Sequence, residues 1–489
     1  MTMHDPTSHD ECVDLAVVGG GMAGLAAAWA AHRRGWRVRL LEAGRSVGGK
    51  IRTERRDGYL TESGPHSFAG HAAGIWQLID EIGLQDQVVA AEPPLDRFVY
   101  RHRRARRLPQ GPGSLLSGDY MSLGGKLRML AEPFVFGDAH SDDTVMSFAR
   151  RRLGREAAQY LITPLVSGVF GGDPESLGAR DAFPRLWQWE HQSGSVLMGA
   201  LMGWTLRREV AHEVDADGTG TRRGLYSFRD GFDMLPKGLA AALPPGTVRT
   251  TSMVQGVEKQ SDGTFIVRCA ATADAREVGY VRARRVIIAA PARIGATLLR
   301  DVPRAHELLA HVQNCRIALV HLGGPNPDGL APRGSGLLIP PGEGLRTLGI
   351  LMPSSLFPNR APEGHWLHTG FVGGALDPDA VDLTDDTLIS LVDRAQRQAF
   401  PPGKEQRPLE TTFATVVRWR EAIPQYRVGH RDAMAEAVDL VEATLPGVTL
   451  AGSHLQGISV NEAALSGLAA VQRLARLDNG DAPDRKREP

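Results

Sequence analysis

The sequence predicts an α/β protein whose first sheet is assembled from both ends of the chain. Three observations carry this: a strand–glycine–helix–strand unit at 14–44, a strand–glycine–helix unit at 445–475, and a length of 489 residues, too long for one core. The expected layout is a discontinuous Rossmann-like domain over 14–95, 225–300 and 405–475, a mixed-sheet domain over 96–112 and 301–404, and a helical insertion over 113–215. Residues 1–13 and 479–489 read as flexible tails, and 213–224 as a polar, glycine-rich loop.

Residues 14–44 read DLAVVGGGMAGLAAAWAAHRRGWRVRLLEAG. Residues 15–18 are a short apolar run of the kind a buried parallel strand makes. Gly19, Gly21 and Gly24 follow in G-x-G-x-x-G register; an alanine-rich helix comes next, and Gly35 ends it. WRVRLLE reads as the second strand, closing on Glu42. Gly19 permits the tight turn, Gly21 lets backbone approach a pyrophosphate, and Gly24 lets helix and strand pack closely. The helix N-terminus presents free N–H groups to phosphates, and Glu42 can accept both ribose hydroxyls. Strand, glycines, helix, strand and acid in this order indicate a dinucleotide cofactor.

Composition narrows the function classes. Lysine plus arginine and aspartate plus glutamate each total 56, so there is no general pull toward nucleic acid. Cys12, Cys269 and Cys315 are dispersed, without CxxC spacing; this argues against a disulfide framework or metal site and fits a reducing, cytoplasmic setting. The polar, acidic start is unlike a secretory signal. No apolar run approaches the ~20 residues of a membrane span. The longest, SVLMGALMGWTL (195–206), reads as a core helix or one lying on a membrane surface, with Leu197 and Leu201 as the positions that decide.

After Glu42 comes EAGRSVGGKIRTERRDGYLTESGPHSF (42–68), with Arg45, the doublet Gly48-Gly49 and Lys50. Here the chain resembles the flavin amine oxidase superfamily, where such a doublet follows the ribose-binding acid. The resemblance implies FAD, with Arg45 and Lys50 beside its phosphates and ESGPHS near the flavin ring. It gives a role to the far end as well. A strand at 448–451 is followed by Gly452, Gly457 and a helix starting near Val460, whose N-terminus would stabilise negative charge on a reduced flavin. VRTTSMVQGVEKQSDGTFIVRC (248–269) has strand–turn–strand character, with Val254 where the family holds the adenine, and RRVIIAAPA (284–292) reads as a strand returning to the cofactor.

The middle of the chain narrows the family. DRFVYRHRRARRLP (96–109), SFARRRLGREAAQYLITPLVSGVFGGDPESLGARDAFPRLWQWE (147–190), YSFRDGFDMLPKGLAAAL (226–243) and RWREAIPQYRVGH (418–430) resemble protoporphyrinogen oxidases, in unbroken order. The resemblance implies oxidation of protoporphyrinogen IX to protoporphyrin IX with FAD and dioxygen, releasing hydrogen peroxide, in heme biosynthesis. It implies an FAD-binding domain, a mixed-sheet substrate domain and a helical membrane-binding insertion, hence peripheral attachment to lipid at the inner face of the cell membrane. A homodimer and a contact with ferrochelatase are further expectations. Arg97 matches the arginine that grips a propionate, and Leu338, Leu351 and Phe371 match positions that sandwich pyrrole rings. The Gly172 carbonyl would face a pyrrole N–H. Ser335 stands where many relatives have phenylalanine, which would widen the pocket.

Physical chemistry agrees in outline. A porphyrinogen is a large apolar macrocycle with acidic propionates, suited to an apolar pocket with one or two cations at its mouth. The bare stretch SGVFGGDP (167–174) suits a flat ring lying on backbone; the bland alternative is a tight loop with Gly172 at positive φ. Arg101, Arg103, Arg104, Arg106 and Arg107 read as a solvated face or a bridge to anionic lipid. Two rival enzymes remain. Coproporphyrinogen III oxidation would want more cations around the pocket. A flavin amine oxidase would want an aromatic cage and a lysine near the flavin, where Arg316 falls; aromatic content of 6% offers little for a cage.

Overall fold

The computed structural model describes residues 12–93, 95–109, 112–135, 137, 142–199, 201–202, 222, 224–271, 277–327, 329–402 and 408–478. Two seven-stranded sheets organise them. The first runs Val248–Arg249, Val38–Leu41, Val13–Val18, Glu277–Ile288, Phe265–Ala271, Ser252–Lys259, with Val448–Leu450 also pairing with Glu277–Ile288. Its centre is parallel, and the 252–271 hairpin adds antiparallel strands. Leu15, Ala16 and Val17 are fully buried, as a strand covered on both faces must be. Helices Met22–Arg33 and Val460–Asp478 pack on one face, and Pro303–Ala310 and His430–Thr444 on the other. The chain's two ends touch directly: a Cβ on Gly467 would stand 2.0 Å from the Ala23 oxygen, so only glycine lets the last helix approach the first.

The second sheet runs Phe413–Trp419, Ile317–Pro325, His365–Gly373, Thr347–Leu351, Gly336–Leu338, Arg97–Arg101, Arg104–Arg107. It is mixed, with Gly336–Leu338 parallel to Arg97–Arg101. Strand Phe413–Trp419 falls in a segment that the sequence reading gave to the first domain, yet it pairs with Ile317–Pro325. Phe413 packs there against Tyr59 and Leu367, and the chain rejoins the first sheet at Val448–Leu450. Helix Asp385–Ala399 covers one face of this sheet through Leu388, Val392 and Ala395.

Between the sheet segments lie short helices, among them Leu123–Leu130, Val145–Leu153, Thr163–Phe170 and Pro184–Ser193. Buried charge ties them together. Arg152 pairs with Glu190 out of solvent, and Glu132 accepts hydrogen bonds from Ser195 Oγ (2.6 Å), Val196 N (2.9 Å) and Leu197 N (3.1 Å). Most of the expected 213–224 loop and of both tails lies outside the described residues.

Candidate active site

Glu42 follows strand Val38–Leu41, and its carboxylate accepts the Gly20 and Gly44 N–H groups, each at 2.6 Å. Gly19 adopts φ 106, and a Cβ on Gly24 would stand 1.9 Å from the Gly19 oxygen, so the chain's own packing demands both glycines. Gly21 differs: a Cβ there would meet nothing within 4 Å. That open space, in front of helix Met22–Arg33, is the cradle a pyrophosphate needs. The glycine doublet lies across it. Gly48 N donates to Gly20 O at 2.8 Å, and a Cβ on Gly49 would come 3.3 Å from Gly21 Cα. Backbone bonds from Glu42 N to Arg249 O (2.8 Å) and from Ser252 N to Glu42 O (2.9 Å) bring Val254 to the acid's end of the sheet. Gly452, at φ 138, and Val460 lead into the closing helix. Arg45 is exposed beside the doublet. Lys50 instead reaches the junction between the sheets: its ammonium donates to the Ala422 carbonyl, and burial lowers its pKa.

Strand register gathers the substrate candidates. One row crosses the second sheet as Arg97–Gly336–Leu351–Thr369–His321, and the next as Val99–Leu338–Gly349–Phe371–Leu319. Directly paired residues share a face, and so do residues two apart on one strand. Arg97, Leu338, Leu351 and Phe371 therefore line the face away from helix Asp385–Ala399, with Gly336 and Gly349 leaving the floor between them bare. Helix Thr163–Phe170 covers this face. A Cβ on Gly168 would lie 2.7 Å from Leu338 Cδ2, and one on Gly171 would lie 2.7 Å from Ile317 Cδ1.

The glycine cluster resolves differently from expectation. The helix continues through Gly168 to Phe170, and Gly171 (φ 55), not Gly172, takes the left-handed conformation that ends it. The carbonyls before Gly172 are used: Phe170 O accepts from Gln425 Nε2 (2.9 Å) and Cys315 Sγ (3.3 Å), and Gly171 O from Ala375 N (2.7 Å). Among the described residues no donor reaches the carbonyl of buried Gly172. A Cβ on Gly172 would press on Leu177 Cδ1 (2.7 Å) and Gln425 Oε1 (2.8 Å), so Gly172→Ala would disturb packing as well as any substrate contact.

Several buried polar groups escaped the sequence reading. Glu62 accepts from Phe232 N (2.7 Å) and Thr53 Oγ1 (2.8 Å), and burial pushes it up to about 7. His66 packs its ring 6.4 Å from that of Phe371, and its Nε2 is shut off from solvent without a partner. His321 places Nδ1 2.9 Å from Thr369 Oγ1, while its Nε2 is also buried and unpaired. Burial holds both imidazoles neutral, lowering His66 to about 3 and His321 to about 4. In the sequence, a histidine inside the apolar run IALVHL was the available signal.

Cations stand around this face. Arg97 is exposed at its edge, without an acidic partner among the described residues, and Ser335 beside it donates to Leu95 O at 3.1 Å. A cavity of about 560 Å³ opens between Met146, Arg150, Arg155, Gln159, Thr163 and Pro341. Arg150 pairs with Glu175 at 2.9 Å, and Arg155 has no acidic partner among the described residues. The basic cluster is less free than it looks in sequence: Arg101 pairs with Glu156, Arg106 with Asp119 and Arg107 with Asp96. Arg316 is held by Asp382 at 2.5 Å, so it does not stand in for an amine oxidase lysine.

Comparison with known proteins places this geometry. The flavin containing amine oxidoreductase family matches residues 22–475. Protoporphyrinogen oxidase 1, chloroplastic, of Spinacia oleracea is 32% identical, covering 92% of this chain and 81% of that one. Coproporphyrinogen III oxidase of Bacillus subtilis (strain 168) is 27% identical over 94% of this chain and 97% of its own. A solved chain from Exiguobacterium sp. 255-15 superposes with TM-score 0.78 at 22% identity, covering 95% of this chain and 99% of that one, which speaks for the fold. The chain belongs to the protoporphyrinogen oxidase family within the flavin amine oxidase superfamily.

Proposed function

We propose that the protein is an FAD-dependent oxidase that converts protoporphyrinogen IX to protoporphyrin IX. The observation that carries this reading is one face of the second sheet bearing Arg97, Leu338, Leu351 and Phe371 beneath the helix that ends at Gly171, in a chain whose first sheet carries a glycine cradle open at Gly21. The cradle fits FAD: Gly21 and Gly49 leave room for the pyrophosphate, and Glu42 can exchange its two N–H bonds for ribose hydroxyls. Bound FAD supplies a two-electron acceptor for hydride and returns the electrons to dioxygen, giving hydrogen peroxide. The chain's residues do the rest. Leu338, Leu351 and Phe371 exclude water and pack against the macrocycle's pyrrole rings. Arg97 grips a propionate at the mouth. The unpaired Gly172 carbonyl accepts a pyrrole N–H, which fixes the ring's orientation.

Arg97→Ala should weaken substrate capture by about 2 kcal/mol, roughly thirtyfold in kcat/KM through KM, with bound flavin unchanged. Kinetics identical to wild type would make Arg97 surface decoration.

One observation favours the rival substrate. Arg155, facing the cavity near the helix that covers Leu338, is a second cation without an acidic partner among the described residues, able to meet a third or fourth carboxylate. If coproporphyrinogen III is the substrate, Arg155→Gln lowers its turnover more than that of protoporphyrinogen.

The helical unit is proposed to rest on lipid. Among the described residues no helix is long and apolar enough to cross a membrane. Leu123 and Leu127 are more than half exposed on one helix face, and Phe134 is 76% exposed. Leu201 is exposed as well, whereas Leu197 is half-buried, so the outward face is carried more by the 123–134 stretch than by Leu197. Leu123→Glu combined with Leu127→Glu and Phe134→Ser should cut sedimentation with anionic vesicles more than about tenfold. Unchanged sedimentation would remove the membrane role.

A further inference from the structure

The Gly172 carbonyl can hold a pyrrole N–H but cannot carry a proton away. Oxidation to the porphyrin removes six hydrogens: three as hydrides from meso carbons and three as protons, two of these from nitrogens and one from the fourth meso carbon. Bound FAD would accept each hydride, and its electrons would pass to dioxygen, which takes up one proton from solvent to give hydrogen peroxide; the substrate's own proton must leave the pocket. The hydride's departure leaves positive charge on the macrocycle, so the nitrogen proton is acidic and a neutral imidazole suffices to accept it.

Three side chains with buried polar atoms share the pocket face: His66 and His321, whose Nε2 atoms are unpaired among the described residues, and Tyr59, whose hydroxyl has Thr412 beside it. Strand register orders them. His66 lies over Phe371, in the row Leu319–Phe371. The next row along the same strands is His321–Thr369, joined through Nδ1 and Oγ1 at 2.9 Å. The row after that is Gly323–Leu367. Tyr59 lies on Gly323, its Cε1 2.5 Å from where a Cβ would be, and stacks on Phe413 with centroids 4.3 Å apart. The last row, Pro325–His365, is at the surface: His365 is exposed, and its ring meets that of Tyr59 edge-on at 6.1 Å. Successive rows on one face are ~7 Å apart, a gap one bridging water closes, and the whole path runs ~20 Å. Gly323 is what admits the tyrosine ring. Buried imidazole nitrogens without partners call for a reason, and here the two of them fall in line with Tyr59 from pocket to solvent.

We infer that His66, His321 with Thr369, and Tyr59 form a proton path from the substrate's pyrrole nitrogen to solvent at His365. The inference rests on the porphyrinogen reading. Neutral imidazoles accept at one nitrogen and release at the other, so the path needs no stable buried charge. His66 and His321 are kept uncharged by burial, with Arg360 as the nearby fixed cation disfavouring charge on His66.

Tyr59→Phe keeps the ring and removes the hydroxyl. In anaerobic single-turnover mixing of the FAD-loaded protein with porphyrinogen, it should slow proton appearance in a pH-indicator dye about tenfold and enlarge the deuterium solvent effect. FAD content, KM and melting temperature should stay at wild-type values. Nitrogen-15 NMR gives a readout independent of turnover: exchange of the His321 imidazole N–H with bulk water should be slower in Tyr59→Phe. His321→Gln should reproduce the kinetic defect. Proton release, solvent effect and imidazole exchange unchanged in Tyr59→Phe would overturn the path alone. A wild-type protein whose flavin neither porphyrinogen reduces would overturn the substrate reading and the path with it.

Discussion

Gly21→Val is expected to give folded protein that carries no yellow cofactor. A Cβ at this position meets none of the chain's own described atoms within 4 Å, which leaves room for a small side chain. The space it enters is the one the pyrophosphate needs, in front of the helix N-terminus and across from Gly49. Gly24→Ala is the contrasting control: its Cβ would lie 1.9 Å from the Gly19 oxygen, so it should damage folding itself. Absorbance of the purified variants and their melting temperatures separate the two effects. Normal flavin content in folded Gly21→Val would show that the cofactor does not lie in this cradle.

Stability should fall steeply as the pH drops below about 6.5. Burial lowers His66 to about 3 and His321, His368, His430 and His454 to about 4, whereas each ionises near 6.5 in an unfolded chain. A depressed pKa contributes stability above the unfolded value and loses it as the pH falls toward the folded one. Glu62 acts oppositely. Raised by burial to about 7 from an ordinary 4.5, it favours the folded state at low pH and so offsets one of these protons in the same window. About four net protons correspond to roughly 5 kcal/mol per pH unit, enough to exhaust a typical folding free energy within ~2 units. Urea unfolding between pH 7 and 5 checks this, and His368→Gln should flatten the slope by about one proton. A stability curve level from pH 6.5 to 5 would mean that these imidazoles are reached by solvent.

The cofactor motif was legible because each of its residues has a narrow physical reason. Gly19 needs φ 106, Gly24 tolerates no Cβ, and Glu42 ends the second strand with its carboxylate on two backbone N–H groups. Adjacent glycines were harder. Nothing in GVFGGDP says which member of the pair takes the left-handed conformation; contact with Ile317 and Cys315 assigns it to Gly171. Gly168 looked like a loop residue, yet it is a helical position kept bare for Leu338. Strand Phe413–Trp419 shows a strand's usual make-up, which does not reveal the sheet it joins. Tyr59, His66 and His321 could not be connected from sequence, since their meeting depends on register between Ile317–Pro325 and His365–Gly373 and on a segment crossing from the first domain. The basic run near Arg104 is exposed at Arg103, Arg104 and Arg107, as a solvated face would be, but its sequence does not reveal the carboxylates Glu156, Asp119 and Asp96 that pair with Arg101, Arg106 and Arg107.

The central claim is that this sheet face and flavin cradle oxidise a porphyrinogen. The most direct test adds protoporphyrinogen IX and, separately, coproporphyrinogen III to the FAD-loaded protein in air, following porphyrin fluorescence and hydrogen peroxide together. The account predicts porphyrin formation with three peroxides for each macrocycle, since the six electrons leave in pairs, and faster turnover of the dicarboxylate. Faster turnover of the tetracarboxylate would assign the pocket to coproporphyrinogen, and a bound flavin that neither substrate reduces would contradict the account.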